Sequence, residues 1–227
     1  MSKKSSKKPV AKRVGTALTH ADAKVHEAVK PVQRSKPVQV IGTLSELGDQ
    51  PQLRILSALL IGGGIATANE RLVKAGARML VAHELTTAVK NQIKNRVDRT
   101  RPRSAETDED REVRPGHSTE KEETSFPSGH SAGAIAVARA FSREYPEYAG
   151  PALGAAGLVA LAQIPRCAHY PTDVASGLAV GALVEEGVHS VWSWAEDRAE
   201  KRAGANLTQE PAPAELEDLD ANARLAV

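Results

Sequence analysis

A chain of 227 residues suits one domain with a sizeable core, and with 41% hydrophobic but only 3% aromatic residues that core has to be built from Ala, Val, Leu, Ile and Gly. The net charge of +2 hides a strong asymmetry: six Lys or Arg and no acid lie between Met1 and Thr16, while Glu210, Glu215, Glu217, Asp218 and Asp220 crowd the far end. A single cysteine, Cys167, excludes an intrachain disulfide, and the basic N-terminus has no apolar stretch behind it, which reads against a secretory signal peptide.

Residues 1–16, rich in Lys and Ser without an apolar period, read as a disordered basic tail. A weak amphipathic helix is predicted over Thr19–Val32. Beyond it the apolar residues fall in blocks parted by Gly, Pro and charge, with no strand-type alternation, so an all-α bundle of about five core helices is expected. The first runs from Pro51 to Ala68 and the second from Arg71 to Val97. Residues 103–124 carry twelve charged side chains in twenty-two and read as an exposed loop. The third helix begins near Ser128 and ends before Pro146, the fourth spans Pro151–Ile164, and the fifth Pro171–Ala199. Residues 200–227 read as a second, acidic, disordered tail, which leaves a helical domain over 17–199.

A helix that spans a bilayer wants about twenty mostly apolar residues. Ala149–Pro165 is free of charge over seventeen residues, but the second helix carries Lys74, Arg78, His83 and Glu84, and the fifth carries Glu185 and Glu186. On pattern alone a membrane bundle and a soluble bundle are both open.

Three segments place phosphate-binding and proton-transferring groups at helix ends. In the first, Lys94 precedes Arg101-Pro102 by seven positions, two helical turns, so both cations point the same way if the helix continues that far. A solvated basic helix end is the other reading of this patch. In the second, Ser125-Phe126-Pro127-Ser128-Gly129-His130, Ser128 is a good N-cap and the first amides of the helix offer an anion site. His130 in that first turn is a candidate proton donor, or an incidental side chain. In the third, Pro171 suits the first helical position, so Asp173 lies one turn after His169. A carboxylate there can fix the imidazole tautomer and leave the other nitrogen as a nucleophile, and the same pair could also be two metal ligands. Cys167 is most simply a packing residue.

In this order the three segments resemble the type 2 phosphatidic acid phosphatase superfamily, which also includes bacterial acid phosphatases and vanadium haloperoxidases. The first two parts of the family pattern are complete in Lys94, Arg101 and Pro102 and in Pro127, Ser128, Gly129 and His130, and the third keeps His169 and Asp173. At the family's Ser-Arg positions stand Ala162 and Gln163. The resemblance covers roughly residues 48–195.

It implies a helical bundle in which His169 attacks phosphorus, Asp173 orients it and His130 protonates the leaving oxygen, after which water hydrolyses the phosphohistidine. Lys94, Arg101 and the amides around Ser128 and Gly129 would hold the phosphate without metal or cofactor, and Arg166 is the candidate to replace the missing arginine. It further implies a phosphorylated lipid or polyprenyl substrate and a place in the bacterial inner membrane. The basic tail favours a cytoplasmic N-terminus and the resemblance a periplasmic-facing site, so the facing is open. A vanadate-dependent haloperoxidase is the alternative within the resemblance. A non-catalytic membrane or nucleic-acid adaptor using the Lys-rich tail explains none of the internal motifs, and no nucleic-acid partner is expected.

Overall fold

The computed structural model of the chain describes residues 10–207, with side chains placed for 17–204. Seven α-helices follow one another there: α1 Val10–Val29, α2 Lys36–Ser45, α3 Gln50–Ala66, α4 Glu70–Lys94, α5 Gly129–Glu144, α6 Ala149–Ala162 and α7 Pro171–Leu207. The five expected core helices are α3 to α7; before them α1 overlaps the weak helix expected over Thr19–Val32, and α2 is added. α1 begins at Val10 and α7 runs to Leu207, so both reach into stretches expected as tails; residues 1–9 and 208–227 of those tails lie outside the described residues.

Helix ends are set by local chemistry. The Asp49 carboxylate caps α3 by accepting from the Gln50 amide, and Asn69 caps α4 by accepting from Leu72 at 3.1 Å. α4 stops at Lys94, three residues short of the expected Val97. Lys94 and Arg101 therefore do not share one helix, because the chain turns into a two-residue strand, β1 Val97–Asp98, paired antiparallel with β2 Arg114–Pro115.

The core is small-residue packing, as the composition requires. Leu53, Met79, Ala82, Ala136, Val137 and Ala140 join α3, α4 and α5, and Ala134, Ala138 and Ala156 join α5 to α6. α7 approaches α5 more closely still. A methyl group added at Gly181 would lie 2.2 Å from the Ala132 carbonyl oxygen, and one at Gly177 would lie 2.4 Å from that of Ser128. Charges on the helices are paired across them: Arg54 with Glu84 at 2.5 Å, Arg78 with Glu144 at 2.6 Å, and Arg139 and Arg143 with the buried Glu185 at 2.6 and 3.0 Å.

No helix among the described residues is long and apolar enough to cross a membrane. The reason is length and charge. The apolar run after Ala149 is helical for 14 residues, about 21 Å of rise against a hydrocarbon core of about 30 Å, and the longer α4 carries Arg71, Lys74, Arg78, Glu84 and Lys90.

The chain divides into two units at Val188. The site described below lies wholly in Met1–Val188. In His189–Val227 the helix is held by its own pairs, Lys201 with Asp197 at 2.6 Å and the Arg198 guanidinium over the Trp194 ring at 5.3 Å.

Candidate active site

The loop from α6 to α7 presents His169. The Gln163 carbonyl accepts both the Ala168 and His169 amides at 3.1 and 3.3 Å, and Cys167 turns the chain with a left-handed φ of 50°. Gln163 does not face the site as a donor, because its side-chain amide is spent on the Val159 carbonyl at 2.9 Å.

Asp173, in the first turn of α7, is completely buried and surrounded by donors. Its Oδ2 accepts from the Tyr170 amide at 2.9 Å and from Ser125 Oγ at 2.5 Å, and its Oδ1 accepts from Arg99 Nη1 at 2.6 Å. The expected direct bond to the imidazole is absent: His169 Nδ1 stands 3.7 Å from Asp173 Oδ2 and 3.5 Å from Ser125 Oγ. Ser125 thus links the two groups, a residue the sequence reading quoted without giving it a role. Burial alone would raise the Asp173 carboxyl, but neighbouring His169, Arg99 and Ser125 outweigh it and bring it down to about 2.

The other imidazole nitrogen settles the tautomer. His169 Nε2 lies 3.3 Å from Arg101 Nη1, and a guanidinium can only donate, so Nε2 carries the lone pair and Nδ1 the proton. Burial first, and then the charges of Arg101 and Lys94 against that of Asp173, push His169 down to about 4, so the ring is neutral at ordinary pH.

Arg101 is fixed in part by the acidic loop, which is solvent-exposed as expected and whose far end holds the guanidinium. Its Nε donates to the Lys121 carbonyl at 2.8 Å, its Nη1 to the Ala168 carbonyl at 3.0 Å, and its amide to the Glu122 carbonyl at 2.7 Å. Lys94 donates to the Thr124 carbonyl, and burial followed by repulsion from Arg101 and Lys90 lowers it to about 7. Lys90, buried one helical turn earlier, lies under Gly129, whose added methyl would meet the Lys90 Nζ at 3.5 Å. The structure therefore brings Lys94, Arg101, His169 and Asp173 together, and adds Lys90.

At the start of α5 the Ser128 hydroxyl accepts from Ser131 as the expected N-cap, and the Ser128 amide donates to the Asp173 carbonyl at 3.0 Å, tying the two helix starts together. His130 faces acids as well as cations: its Nε2 lies 3.8 Å from Glu46 and 4.0 Å from Asp49. Burial lowers its pKa, Asp49 and Glu46 oppose that, and Arg166 and Arg101 add to it. Glu46, Asp49 and His130 have ligand atoms within 4.8 Å of one another and are the one group among the described residues that could hold a metal ion. Arg166 is turned to this rim, paired with Glu46 and donating to Ser45 Oγ at 2.7 Å, and makes no hydrogen bond to His169.

Sequence reasoning missed Ser125, Lys90, Asp22, Glu46 and Asp49, and read Arg99 only as one of the cations that, with Arg96 and Arg103, thicken the patch around Lys94 and Arg101. Lys90 was discoverable, four residues before Lys94 on one face; the others are joined to the site by contacts far apart in the chain.

The profile of the PAP2 superfamily matches residues 75–197. Over 58 residues the chain is 41% identical to the lipid A 1-phosphatase of Rhizobium johnstonii, a stretch that covers 26% of this chain and only 24% of that protein. The chain also resembles the crystal structure of a transmembrane PAP2 type phosphatidylglycerolphosphate phosphatase from Bacillus subtilis, with a TM-score of 0.56 and 23% identity over 78% of this chain and 87% of that one. Aquifex aeolicus LpxE matches with a TM-score of 0.57 and 22% identity, covering 74% and 94%. At these identities the two structures show a common helical fold.

Proposed function

We infer the activity from one premise: this chain belongs to the PAP2 superfamily. The reading is a phosphoric ester hydrolase that removes a phosphate from a lipid or polyprenyl carrier through a phosphohistidine on His169. The observation that carries it is the lone pair of His169 Nε2, 3.3 Å from Arg101 Nη1, with Nδ1–H turned toward Ser125 and Asp173.

In this mechanism Nε2 forms a bond to phosphorus as the bond to the leaving oxygen breaks, and His130 gives that oxygen a proton. Water then attacks phosphorus, His130 takes back a proton, and Nε2 departs. Lys94, Lys90, Arg101 and the first amides of α5 stabilise the charge that develops on the equatorial oxygens. Arg166 stands in for the arginine replaced by Gln163, exchanging Glu46 for the phosphate. The groups facing Nε2 are cations, which suit an anion, so no divalent ion is given a step.

A lipid substrate is supported by an apolar cavity of about 460 Å³, lined by Leu44, Leu47, Leu53, Leu56, Met79 and Phe141 among others, of which Leu47 lies in the short connector between Glu46 and Asp49. It would take an acyl or isoprenyl chain while the phosphate lies among the cations.

The test is a panel of lipid, polyprenyl and aryl phosphates with chelator present. His169→Ala should abolish turnover, and His130→Ala should cost about 10²–10⁴-fold on alkyl phosphates but much less on an activated aryl phosphate, whose leaving group needs no proton. Equal losses on both would remove His130 from the acid role. Activity that requires an added divalent metal, or halide-dependent peroxidation seen only with added vanadate, would replace the reading.

A further inference from the structure

Arg99 is among the most deeply buried charged side chains described, and the mechanism above gives it no step. It sits between two carboxylates: Nη1 donates to Asp173 Oδ1 at 2.6 Å and to Thr172 Oγ1 at 2.8 Å, and Nη2 donates to Asp22 Oδ2 at 2.7 Å. Its Nε donates to the Arg111 carbonyl at 2.8 Å, and its guanidinium lies 4.1 Å from the Tyr170 ring centroid. The side chains of Asp22, Arg99 and Asp173 are 1%, 2% and 0% exposed, so their charges interact with little solvent screening.

Asp22 comes from α1, outside the region matched by the family profile. It also accepts the Thr172 amide at 3.1 Å, and the Thr172 hydroxyl, at the start of the helix that carries Asp173. An anion at a helix start is favourable in itself. Its larger effect is on charge. With one guanidinium shared by two carboxylates, the cluster keeps a net charge of one negative unit. Were Asp22 neutral, Arg99 would neutralise Asp173 alone, and that unit would be lost where the imidazole becomes cationic as Nε2 bonds to phosphorus.

We propose that Asp22 is a positioning residue of the active site, acting through Arg99 to aim Asp173 at the Ser125–His169 pair and to keep the buried cluster anionic while His169 is phosphorylated. This rests on the phosphatase reading given above. The groups that face the cluster and would enter any pH dependence are Lys94 and Arg101 beside His169, Ser125 and Thr172 beside the carboxylates, Tyr170 beside Arg99, and Arg111, which pairs with Glu27 of α1 at 3.4 Å.

The experiment uses the full chain with Asp22→Asn, which keeps the acceptor for Thr172 and removes the charge, beside Asp22→Glu and Arg99→Lys. In Asp22→Asn, kcat should fall on the order of tenfold to a hundredfold, as when outer-shell partners are lost from other sites, with KM within about twofold. The acid limb of the rate profile should move to lower pH, since His169 has lost anionic support, and Asp22→Glu should recover part of kcat. A variant with wild-type melting temperature, kcat and acid limb would overturn the proposal, and so would a loss confined to KM. If Asp22→Asn does not fold, Arg99→Lys reports the same two quantities. The ring Nδ1–H resonance of His169, read by NMR in the resting protein, separates this idea from the phosphatase reading. If the wild type hydrolyses none of the phosphates, that reading fails, and a resonance shifted by Asp22→Asn still supports the link from Asp22 to His169, whereas an unmoved one removes it.

Discussion

At the scale of single residues, the site depends on two groups held away from their ordinary charge states by burial. His169, brought down to about 4, stays neutral down to acidic pH, and Lys94, brought down to about 7, is only partly protonated near neutrality. The signs give a bell. In the proposed mechanism, below about 4 the imidazole takes a proton and cannot attack, and above about 7 Lys94 loses the charge that would attract the phosphate. The kcat/KM profile of the free enzyme on an aryl phosphate should therefore have limbs near those two values. Lys94→Arg replaces the amine with a guanidinium that stays protonated and should remove the alkaline limb while leaving the acid one. An alkaline limb that persists in this variant would assign it to another group. The motif residues behind this prediction were legible because each lies within a few positions of a helix end, where capping and anion binding are local. Ser125 and Arg99 were not, since the distances from Ser125 to Asp173 and from Arg99 to Asp22 are short in space but long in sequence, and nothing local marks such partners.

At the scale of elements, the relation of α5 to α7 is what assembles the site, because one helix start carries Ser128 and His130 and the other carries Asp173. The sequence reading placed both helices but not their contact, since periodicity reports that a helix exists and not which glycines touch a backbone. α2, ten residues long with Pro37 near its start, gave too short a period to be read, and the end of α4 was overshot because Val97 continues the apolar pattern. Gly177 and Gly181 supply the contact. Gly181→Ala puts a methyl 2.2 Å from the Ala132 carbonyl, which cannot yield without moving a helix, and 2.6 Å from Ile135 Cγ2. The expected cost is about 1–3 kcal/mol of stability, with activity lost as Asp173 shifts. Gly187, on the same helix, has open space where its methyl would go. Gly187→Ala should instead be neutral or stabilising by about 0.5–1 kcal/mol, from helix propensity alone. Thermal melts of the two variants decide it: equal effects would mean that the close approach of α7 to α5 does not limit stability.

At the scale of the whole molecule, the described helices leave many large apolar side chains in contact with solvent, although none of them is long and apolar enough to cross a bilayer. Leu44, Leu47 and Leu56 are 60%, 64% and 44% exposed and at the same time line the apolar cavity, so they stand at its mouth. Val40 and Ile41 of α2 and Leu158 and Leu161 of α6 are exposed as well. Large exposed apolar side chains grouped at a cavity mouth, as Leu44, Leu47 and Leu56 are, are costly in water and suit an interaction face. If the proposed lipid substrate is carried by a membrane, these side chains are where contact with that membrane is expected. Such attachment scales with buried apolar area and is reversible. Burying a leucine is worth about 1.5–3 kcal/mol, so Leu44→Asp with Leu47→Asp should lower partition onto phospholipid vesicles by at least about tenfold even if each is only half buried. Turnover of a soluble aryl phosphate should stay near wild type, because neither leucine holds the phosphate, while turnover of the same phosphate group on a vesicle-borne lipid should fall with binding. Co-sedimentation and the two rates are read on one preparation. A wild-type protein that stays in the supernatant with vesicles present, or a double variant that loses both substrates alike, would take the membrane out of this account and leave the leucines as part of the fold.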